Sequence, residues 1–183
     1  MNDFFSDDSK RAIIDPKKRL IFLNGEINHT STDNIVAHLV RMSLNNNKPI
    51  KMFINSPGGN VCNGIAIVDV MSSIHAPVFT ICVGQACSMA AVILSSGAKG
   101  HRYAFPHSRM MIHQPSGGAH GQATDIQRKA QEIVKVREKL NKLLCKNTGQ
   151  PYEVIDKDTD RDHFMSSEEA IDYGLIDRII ESV

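Results

Sequence analysis

Ser88 stands between two apolar runs of different character, which makes it the first residue to consider for chemistry. The preceding run, 78–83, is rich in β-branched residues and predicts a buried strand, whereas the following run, 89–94, predicts a buried helix. A serine at such a turn lies beside free backbone N–H groups and the positive end of the helix dipole. Its neighbours Ala86 and Ala90 are small, as a tight turn that exposes a nucleophile requires. Ser88 is therefore a candidate nucleophile; the alternative is that its hydroxyl only caps the helix.

A nucleophilic serine needs a base, and the base needs an acid that orients it. Among the eight histidines, His113 is the best-placed base, because it ends a predicted strand, 109–113, beside a loop rich in proline and glycine. Loops that leave parallel strands at one edge of a sheet collect on the same face, so Ser88 and His113 can meet there. His107 is the second candidate. The residues alone leave the acid open among Asp156, Asp158, Asp160 and Asp162.

Composition limits the class of protein. The 183 residues suffice for one domain with a core, and the net charge of +1 gives no basic excess for nucleic acid. The four cysteines lack C-x-x-C spacing, which favours reduced thiols over disulfides or metal ligands. The uncharged window 70–98 is broken by Pro77 and Gly84, so it predicts a buried interior rather than a membrane span. With no secretory signal at the N-terminus, we expect a cytoplasmic protein of bacterial type, with an organelle as the alternative.

The elements that must position these residues alternate between strand and helix. Predicted strands cover 20–23, 50–54, 78–83, 109–113 and 175–180, and the charged turn 160–164 enters a further short strand. Predicted helices cover 31–44, 64–74, 124–147 and 152–158, with one starting at 89 and one opened by a capping box at 166–169 and ended by Gly174. This alternation indicates the α/β class with mostly parallel strands. Residues 1–18 are polar and predicted to be a mobile N-terminal arm, which leaves 19–183 as a single domain.

Five motifs together resemble the proteolytic subunit of the Clp protease family. In chain order they are Ile54–Gly59, Gly84–Ala91, Met111–Pro115, Gly121–Ile126 and Thr159–Asp162, within a match over residues 19–180. The resemblance implies a spiral of β-β-α repeats, akin to the crotonase fold, with a protruding handle helix. It implies a serine endopeptidase of protein quality control, built from two stacked heptameric rings. Such an enzyme hydrolyses peptides and, with an AAA+ ATPase, unfolded proteins. The resemblance implies no metal or organic cofactor, and neither nucleic acid nor membrane as a partner.

The same resemblance implies roles for individual residues. Ser88 would be the nucleophile, His113 the general base and Asp162 the orienting acid. The N–H groups of Gly59 and Met89 would form the oxyanion hole. Further residues are implied in substrate binding (Gly58, Gln114 and Pro115) and in contacts between rings (Asp160 and Arg161).

The chain departs from the family pattern in two places. Lys51 and Ser73 stand where family members more often carry aromatic residues, in the pocket that docks the ATPase, although Phe53 and Tyr103 keep an aromatic character. We therefore expect weak ATPase docking. The arm before residue 19 is also shorter than the N-terminal hairpin of the family. These departures leave one alternative, a low-activity paralogous subunit that acts in mixed rings. A second alternative, a crotonase-type acyl-CoA enzyme, would not need a serine with a matching histidine and aspartate.

Overall fold

The computed structural model describes residues 13–182, which form eight strands and six helices. The strands are β1 (Ile13–Asp15), β2 (Leu20–Asn24), β3 (Ile50–Ser56), β4 (Val78–Cys87), β5 (Arg102–Ala104), β6 (Arg109–Ile112), β7 (His163–Met165) and β8 (Arg178–Ile179). The helices are α1 (His29–Asn45), α2 (Val61–Ser73), α3 (Met89–Ser95), α4 (Ala123–Thr148), α5 (Tyr152–Asp158) and α6 (Ser167–Tyr173). The α/β class predicted from the alternation of elements is confirmed.

The sheet is mostly parallel and divides at its longest strand, β4. The main path runs β1-β2-β3-β4-β5-β8, and within the described residues only the pairs β1–β2 and β6–β7 are antiparallel. The first part of β4 pairs with β5, whereas its last residues, Gln85–Cys87, pair with β6. The division falls at Gly84, which has a φ of +80° and lies close against the Asn55 side chain. The end of β4 therefore leaves the main sheet and delivers Ser88 beside β6.

The core lies between the sheet and helices α1, α2 and α3. Alternate residues of the parallel strands point towards these helices, so Ile50, Met52 and Ile54 are fully buried while their neighbours are not. Every residue of α3 is buried, because this helix is surrounded by α2, α4 and the strands. A helix buried on all sides is apolar all round, as the sequence of α3 is. The helix that begins directly after Ser88 is therefore fixed in the centre of the domain.

Helix α4 combines a packed end and an exposed end. It has 26 residues and is about 39 Å long. Leu140, Asn141 and Leu144 are buried, whereas 123–132 are all exposed. The first half of α4 thus protrudes from the domain, as expected of the handle helix.

The mobile arm predicted for residues 1–18 is wrong for its last part. Ile13–Asp15 form β1 and pair antiparallel with β2, because this short apolar segment can extend the sheet at its edge. A tight turn follows, in which the Asp15 carboxylate accepts a hydrogen bond of 3.1 Å from the Lys18 N–H. Residues 1–12 lie outside the described residues, and the prediction for them stays untested.

Several predicted boundaries also differ from the structure, among them the end of β4, which lies at Cys87 rather than residue 83. Helix α2 begins at Val61 rather than residue 64, because the Asn60 side chain accepts a capping hydrogen bond from the Asn63 N–H. The closing strand predicted over 175–180 is reduced to Arg178–Ile179, because Leu175 and Ile176 are buried in the core outside the strand.

Arg102 joins the C-terminal ends of three helices. Its side chain is nearly fully buried and makes a two-pronged ion pair with Asp177, with nitrogen–oxygen distances of 2.9 and 2.6 Å. Its Nη1 group donates to three backbone carbonyls at or just beyond the ends of α3, α4 and α6, those of Ser95, Asn147 and Gly174. A cation is favourable at a helix C-terminus, so one side chain stabilises three helix ends.

The Arg102–Asp177 pair predicts a pH-dependent contribution to stability. Burial alone would raise the pKa of Asp177, but the hydrogen bonds and charge of Arg102 outweigh it and hold this pKa below its usual value. A lowered pKa in the folded state stabilises the protein above the unfolded pKa of about 3.9, and this contribution is lost as the pH falls through the folded value. We expect Asp177→Asn to lower the free energy of unfolding by about 3 kcal/mol at pH 7.

Urea denaturation at one fixed protein concentration, at pH 7 and at pH 3, measures this effect. The difference from the unchanged protein should shrink at the lower pH, and Asp172→Asn, which alters an exposed carboxylate of α6, should have little effect at either pH. An equal loss at both pH values would contradict the pairing.

Candidate active site

Ser88 occupies a strained turn between β4 and α3. Its φ of +55° is unusual for a residue other than glycine, and such conformations cost on the order of 1–3 kcal/mol. The turn is held by its own backbone: the Ser88 N–H donates to the Met111 carbonyl at 2.8 Å, and the Ser88 carbonyl accepts from Ala91 and Val92. The Ser88 hydroxyl makes no hydrogen bond that caps α3. The alternative that this serine serves only as a helix cap therefore has no support in the structure.

The structure brings Ser88, His113 and Asp162 into one hydrogen-bonded series. His113 Nε2 lies 2.9 Å from Ser88 Oγ, and His113 Nδ1 lies 2.9 Å from Asp162 Oδ1. An ionised carboxylate only accepts hydrogen bonds, so Nδ1 carries the proton and donates it to Asp162. Nε2 then presents a lone pair to the Ser88 hydroxyl. A base so oriented can remove the hydroxyl proton as the oxygen attacks an electrophile.

Asp162 alone among the four candidate aspartates hydrogen-bonds this imidazole in the described part of the chain. Asp156 instead accepts from Arg137 at 2.8 Å, and Asp158 accepts from the Tyr173 hydroxyl at 3.0 Å. The second candidate base, His107, lies exposed in the turn between β5 and β6 and forms no hydrogen bond with the serine. The sequence left four aspartates open as the acid, and the hydrogen bond to His113 favours Asp162 among them.

Backbone pairing on both sides of His113 brings Asp162 to it. Before His113, Ile112 pairs with His163 in the antiparallel β6–β7 ladder. After His113, the Gln114 N–H donates to the Thr159 carbonyl at 2.6 Å, and the Gln114 side chain donates to the Asp160 carbonyl at 2.8 Å. The loop that contains Asp162 is therefore held at both of its ends by the residues that flank the imidazole.

Two backbone N–H groups beside Ser88 are available to bind an anion. Ile27 and Gly59 form a parallel bridge in which the Ile27 N–H donates to the Gly58 carbonyl and the Ile27 carbonyl accepts from the Asn60 N–H. The Gly59 N–H therefore has no backbone acceptor within residues 13–182. The N–H of Met89, the first residue of α3, also has no acceptor among residues 13–182. Because a Cβ on Gly58 would lie only 2.7 Å from Ser88 Cβ, this glycine lets the loop pack directly against the turn. The geometry is compatible with the oxyanion hole predicted for Gly59 and Met89.

Cys87 precedes the serine but is a poor competing nucleophile. Burial raises the pKa of the Cys87 thiol, and the nearby Asp162 carboxylate raises it further. The thiolate is the reactive form of cysteine, so a raised pKa keeps this side chain inert at neutral pH. Of these two neighbouring side chains, Ser88 therefore remains the candidate nucleophile.

An open groove runs along the site on both sides of His113. One part, of about 710 Å³, lies between the loop after His113 and the Asp160–Asp162 loop. The other part, of about 310 Å³, contains Ser88 and Gly59 and is closed by side chains of α4, including Ile133 and Val136. The two parts share His113 and Pro115 and so adjoin each other, which suits an extended chain better than a compact small molecule.

Two of the three predicted substrate-binding residues, Gln114 and Pro115, line this groove. Pro115 lines both parts of it, and Gln114 lines the larger part, with its N–H already used by the Thr159 carbonyl. Gly58 has both backbone groups occupied, its N–H by Ser56 and its carbonyl by Ile27. The role of these three residues in binding substrate stays a prediction.

Sequence analysis missed several residues of the groove. Cys62 follows the Gly59 loop and is exposed there, and Lys129, Ile133 and Val136 come from α4. These residues carry no local sign of a site, because a contact between distant segments brings them together. The apolar stripe of α4, which continues into its protruding half, is the one signal that could have indicated them.

The described residues contain neither a metal centre nor a membrane span. No group of three or more His, Cys, Asp or Glu side chains is arranged to hold a metal ion within residues 13–182. None of the helices formed there has the length and apolar character needed to span a bilayer.

A nucleophilic serine, a histidine and an aspartate in hydrogen-bonded series beside an open groove are typical of serine hydrolases. A family model of the Clp protease matches residues 7–183, which is essentially the whole chain. The chain belongs to the Clp protease family and is a proteolytic subunit of the ClpP type. The resemblance found in the five motifs is thereby confirmed, and the mixed α/β fold agrees with the fold expected of this family. Family membership implies a serine peptidase.

Thr159 connects the loop of Asp162 to the buried end of α4. Its hydroxyl donates to the Ile155 carbonyl at 2.7 Å and lies 3.3 Å from Asn141 Oδ1, and its carbonyl accepts from Gln114. Asn141 is itself 1% exposed and donates to Asp156 of α5. The position of the loop thus depends on a polar contact in the interior of the domain.

We expect Thr159→Val, which keeps the shape and removes the hydroxyl, to lower kcat for peptide hydrolysis about tenfold. Small displacements of a positioning group can cost up to about 100-fold, so a shift of the Asp162 loop should be visible in kcat while KM stays nearly unchanged. Steady-state kinetics on a fluorogenic peptide measure both constants. Thr159→Ser, which retains the hydroxyl, should recover most of the rate. A valine variant as fast as the unchanged protein would show that the Thr159 hydroxyl does not help to position Asp162.

Proposed function

We propose that this protein is a serine endopeptidase subunit in which Ser88, His113 and Asp162 form the catalytic triad. The observation that carries the proposal is the pair of 2.9 Å hydrogen bonds linking the three side chains at the wall of the groove. A crotonase-type enzyme would not need the hydrogen-bonded series of Ser88, His113 and Asp162. A low-activity subunit would not need to retain it, so the geometry favours an active enzyme.

The proposed reaction begins when His113 Nε2 accepts the Ser88 proton and the serine oxygen attacks a peptide carbonyl. The Asp162 carboxylate holds the imidazole in the required tautomer and stabilises the imidazolium that forms. The N–H groups of Gly59 and Met89 bind the developing oxyanion, and each such donor is worth about 3 kcal/mol in the transition state. His113 then gives its proton to the leaving amine, and a water molecule activated by the same base hydrolyses the acyl-enzyme.

The substrate is proposed to be an extended peptide with an uncharged, apolar residue before the scissile bond. Beside Ser88 lies a small cavity of about 20 Å³, which a substrate side chain would have to widen; its lining is mainly apolar, including Met89, Val92, Leu140 and Leu144, with Asn141 as a polar member. A charged side chain placed there would lose its hydration without gaining a partner. This lining supports cleavage after apolar residues.

We further propose that the chain assembles into two stacked heptameric rings and receives unfolded proteins from an AAA+ ATPase. Exposed large apolar side chains support self-association, among them Leu44, Ile126, Val134 and Phe164. Ile126 and Val134 lie on the protruding half of α4, where the domain itself offers no cover. Asp160 and Arg161 are proposed as contacts between rings. Their exposed side chains, with nitrogen and oxygen 3.7 Å apart, remain accessible to a second subunit.

Replacing Ser88 tests the nucleophile directly. Ser88→Ala should reduce kcat for a fluorogenic peptide by about 10⁴-fold or more, because loss of a triad member removes the covalent route. It should also abolish labelling by a serine-directed fluorophosphonate, while light-scattering mass stays unchanged. Ser72→Ala, in an exposed position on α2, is the matched control and should retain both activity and labelling. Substantial turnover by Ser88→Ala would refute the assignment.

A second prediction links assembly to activity through Arg161. Asp160 and Arg161 immediately precede the proposed acid, so we expect Arg161→Ala to loosen two rings towards one and to slow turnover by displacing Asp162 from His113. Exposed ion pairs are worth only about 0–1 kcal/mol each, but a ring repeats the contact in every subunit. Light-scattering mass and turnover are measured together across salt concentrations, since screening weakens exposed pairs.

Arg41→Ala, at an exposed position of α1, serves as the control for loss of one surface charge. Unchanged mass and unchanged turnover in Arg161→Ala would contradict the predicted link between assembly and activity but would leave the triad assignment intact.

A further inference from the structure

The part of the groove that contains Ser88 has one charged side chain in its wall besides the imidazole of the triad. Most of its lining within the described residues consists of the Gly59 loop, the loop after His113 and apolar side chains of α4. The exception is Lys129 of α4, which brings a positive charge to the wall. A charge in the wall of a substrate groove discriminates between peptides by their own charges, so Lys129 is a candidate determinant of specificity.

Lys129 belongs to a stripe of α4 that faces the groove. Ile133 and Val136 follow it at intervals of four and three residues and line the same part of the groove. Leu140, four residues further on, lines the small cavity beside Ser88. Residues with this spacing lie on one face of a helix. The stripe is apolar except at its outer end, where Lys129 lies about 16 Å from Leu140 along the helix axis.

The loop 115–117, which follows the proposed base, runs along the same stripe. Its first residue lines the small cavity together with Leu140, whereas a Cβ on Gly117 would lie 2.8 Å from the Ile133 side chain. The loop therefore leads from the level of Leu140 towards the outer end of α4. A peptide held in the groove beside this loop would extend along the stripe in the same way.

The chemistry of the proposed triad sets the direction of that peptide. The scissile carbonyl must lie at Ser88 and at the N–H of Gly59, while the leaving amine must lie at His113, which protonates it. The part of the groove that contains both Ser88 and Gly59 therefore takes the acyl half of the peptide, which precedes the scissile bond. The leaving half continues past His113 into the part beside the Asp160–Asp162 loop.

We propose that Lys129 selects peptides that carry Asp or Glu four residues before the apolar residue at the scissile bond. An extended chain advances about 3.3 Å per residue, so four residues cover about 13 Å, and the flexible lysine side chain can reach the remaining distance. Side chains of an extended chain alternate between two faces, so the acidic residue faces the same wall as the apolar one. The inference rests on the proposed function, because the direction of the peptide assumes attack by Ser88.

The charge of Lys129 is available to a substrate. Within residues 13–182, Lys129 forms no ion pair, although Asp125 and Glu132 lie one turn before and one turn after it on α4. Glu132 instead lies 4.0 Å from Lys135. Because Lys129 is exposed, its ion pair with a substrate carboxylate contributes modestly, and we expect a preference of a few fold rather than a strict requirement.

The experiment compares the hydrolysis of four peptides that carry a fluorophore and a quencher at their blocked ends. Each contains leucine as its only large apolar residue, with alanine and serine elsewhere. The first has glutamate four residues before the leucine, and the second has glutamine there. The third and fourth carry the same pair four residues after the leucine. Initial rates give kcat/KM at low and at physiological salt, and mass spectrometry verifies that cleavage follows the leucine.

We expect glutamate before the leucine to raise kcat/KM about threefold over glutamine at low salt, and this preference should decline as salt rises. Glutamate after the leucine should give no preference, because the leaving half lies away from Lys129. Lys129→Met should abolish the threefold ratio, and Lys129→Glu should invert it. Lys142→Met, at an exposed position of α4, is the control and should keep the ratio. Each ratio is taken within one variant, so a general change in activity does not affect it.

Binding is measured separately by fluorescence anisotropy with the Ser88→Ala protein, which cannot cleave the peptides under the proposed mechanism. The first two peptides are used without their quencher, and the glutamate peptide should bind about threefold more tightly than the glutamine peptide. Combining Ser88→Ala with Lys129→Met should make the two dissociation constants equal.

Equal kcat/KM for the first two peptides would overturn the inference, as would a preference that survives in Lys129→Met or one that only the third and fourth peptides show. If the peptides are cleaved and the preference is absent, only this inference fails. If none of them is cleaved, the proposed function fails on its own test, and the ratio of dissociation constants still decides whether Lys129 selects an acidic residue.

Discussion

Strand β6 is the backbone constraint on which the whole site depends. On one side it pairs in parallel with the end of β4, and on the other it pairs antiparallel with β7. The first pairing fixes Ser88, whose N–H bonds to Met111 of β6, and the second fixes the loop of Asp162. His113 follows β6 directly and so lies between them. Three side chains from distant parts of the chain are therefore aligned by main-chain hydrogen bonds, which tolerate changes in neighbouring side chains.

The strained turn at Ser88 is tolerated because its surroundings are rigid. Unfavourable backbone conformations persist only where the neighbouring structure determines them on several sides. Here α3 is buried along its full length, the Gly58 loop packs against the serine, and Arg102 secures the far end of α3. Packing and hydrogen bonds in three directions thus offset a local cost of on the order of 1–3 kcal/mol.

Local patterns predicted some parts of this protein well and others poorly. The Ser88 turn and the strand before His113 could be predicted from the sequence, because each depends on a short apolar run or on the change from one apolar run to another of different residue types. The choice of Asp162 was not accessible from the residues alone, since it depends on the pairing of β6 with β7, about 50 residues further along the chain. The arm was mistaken for a similar reason: Ile13 and Ile14 gain order only from pairing with β2.

The two ends of α4 have very different local free energies of opening. An isolated helix as short as the first half of α4, about 13 residues, is marginal in water, and this half receives no support from buried side chains of its own domain. Its amides should therefore open and exchange with solvent more readily than those beyond Leu140, which are protected by the core. Because Ile133 and Val136 close the groove from near the border between these halves, we expect fraying of the helix to widen the groove. A neighbouring subunit that covered the exposed half would suppress this fraying and thereby reduce the conformational entropy of the groove, without touching Ser88, His113 or Asp162.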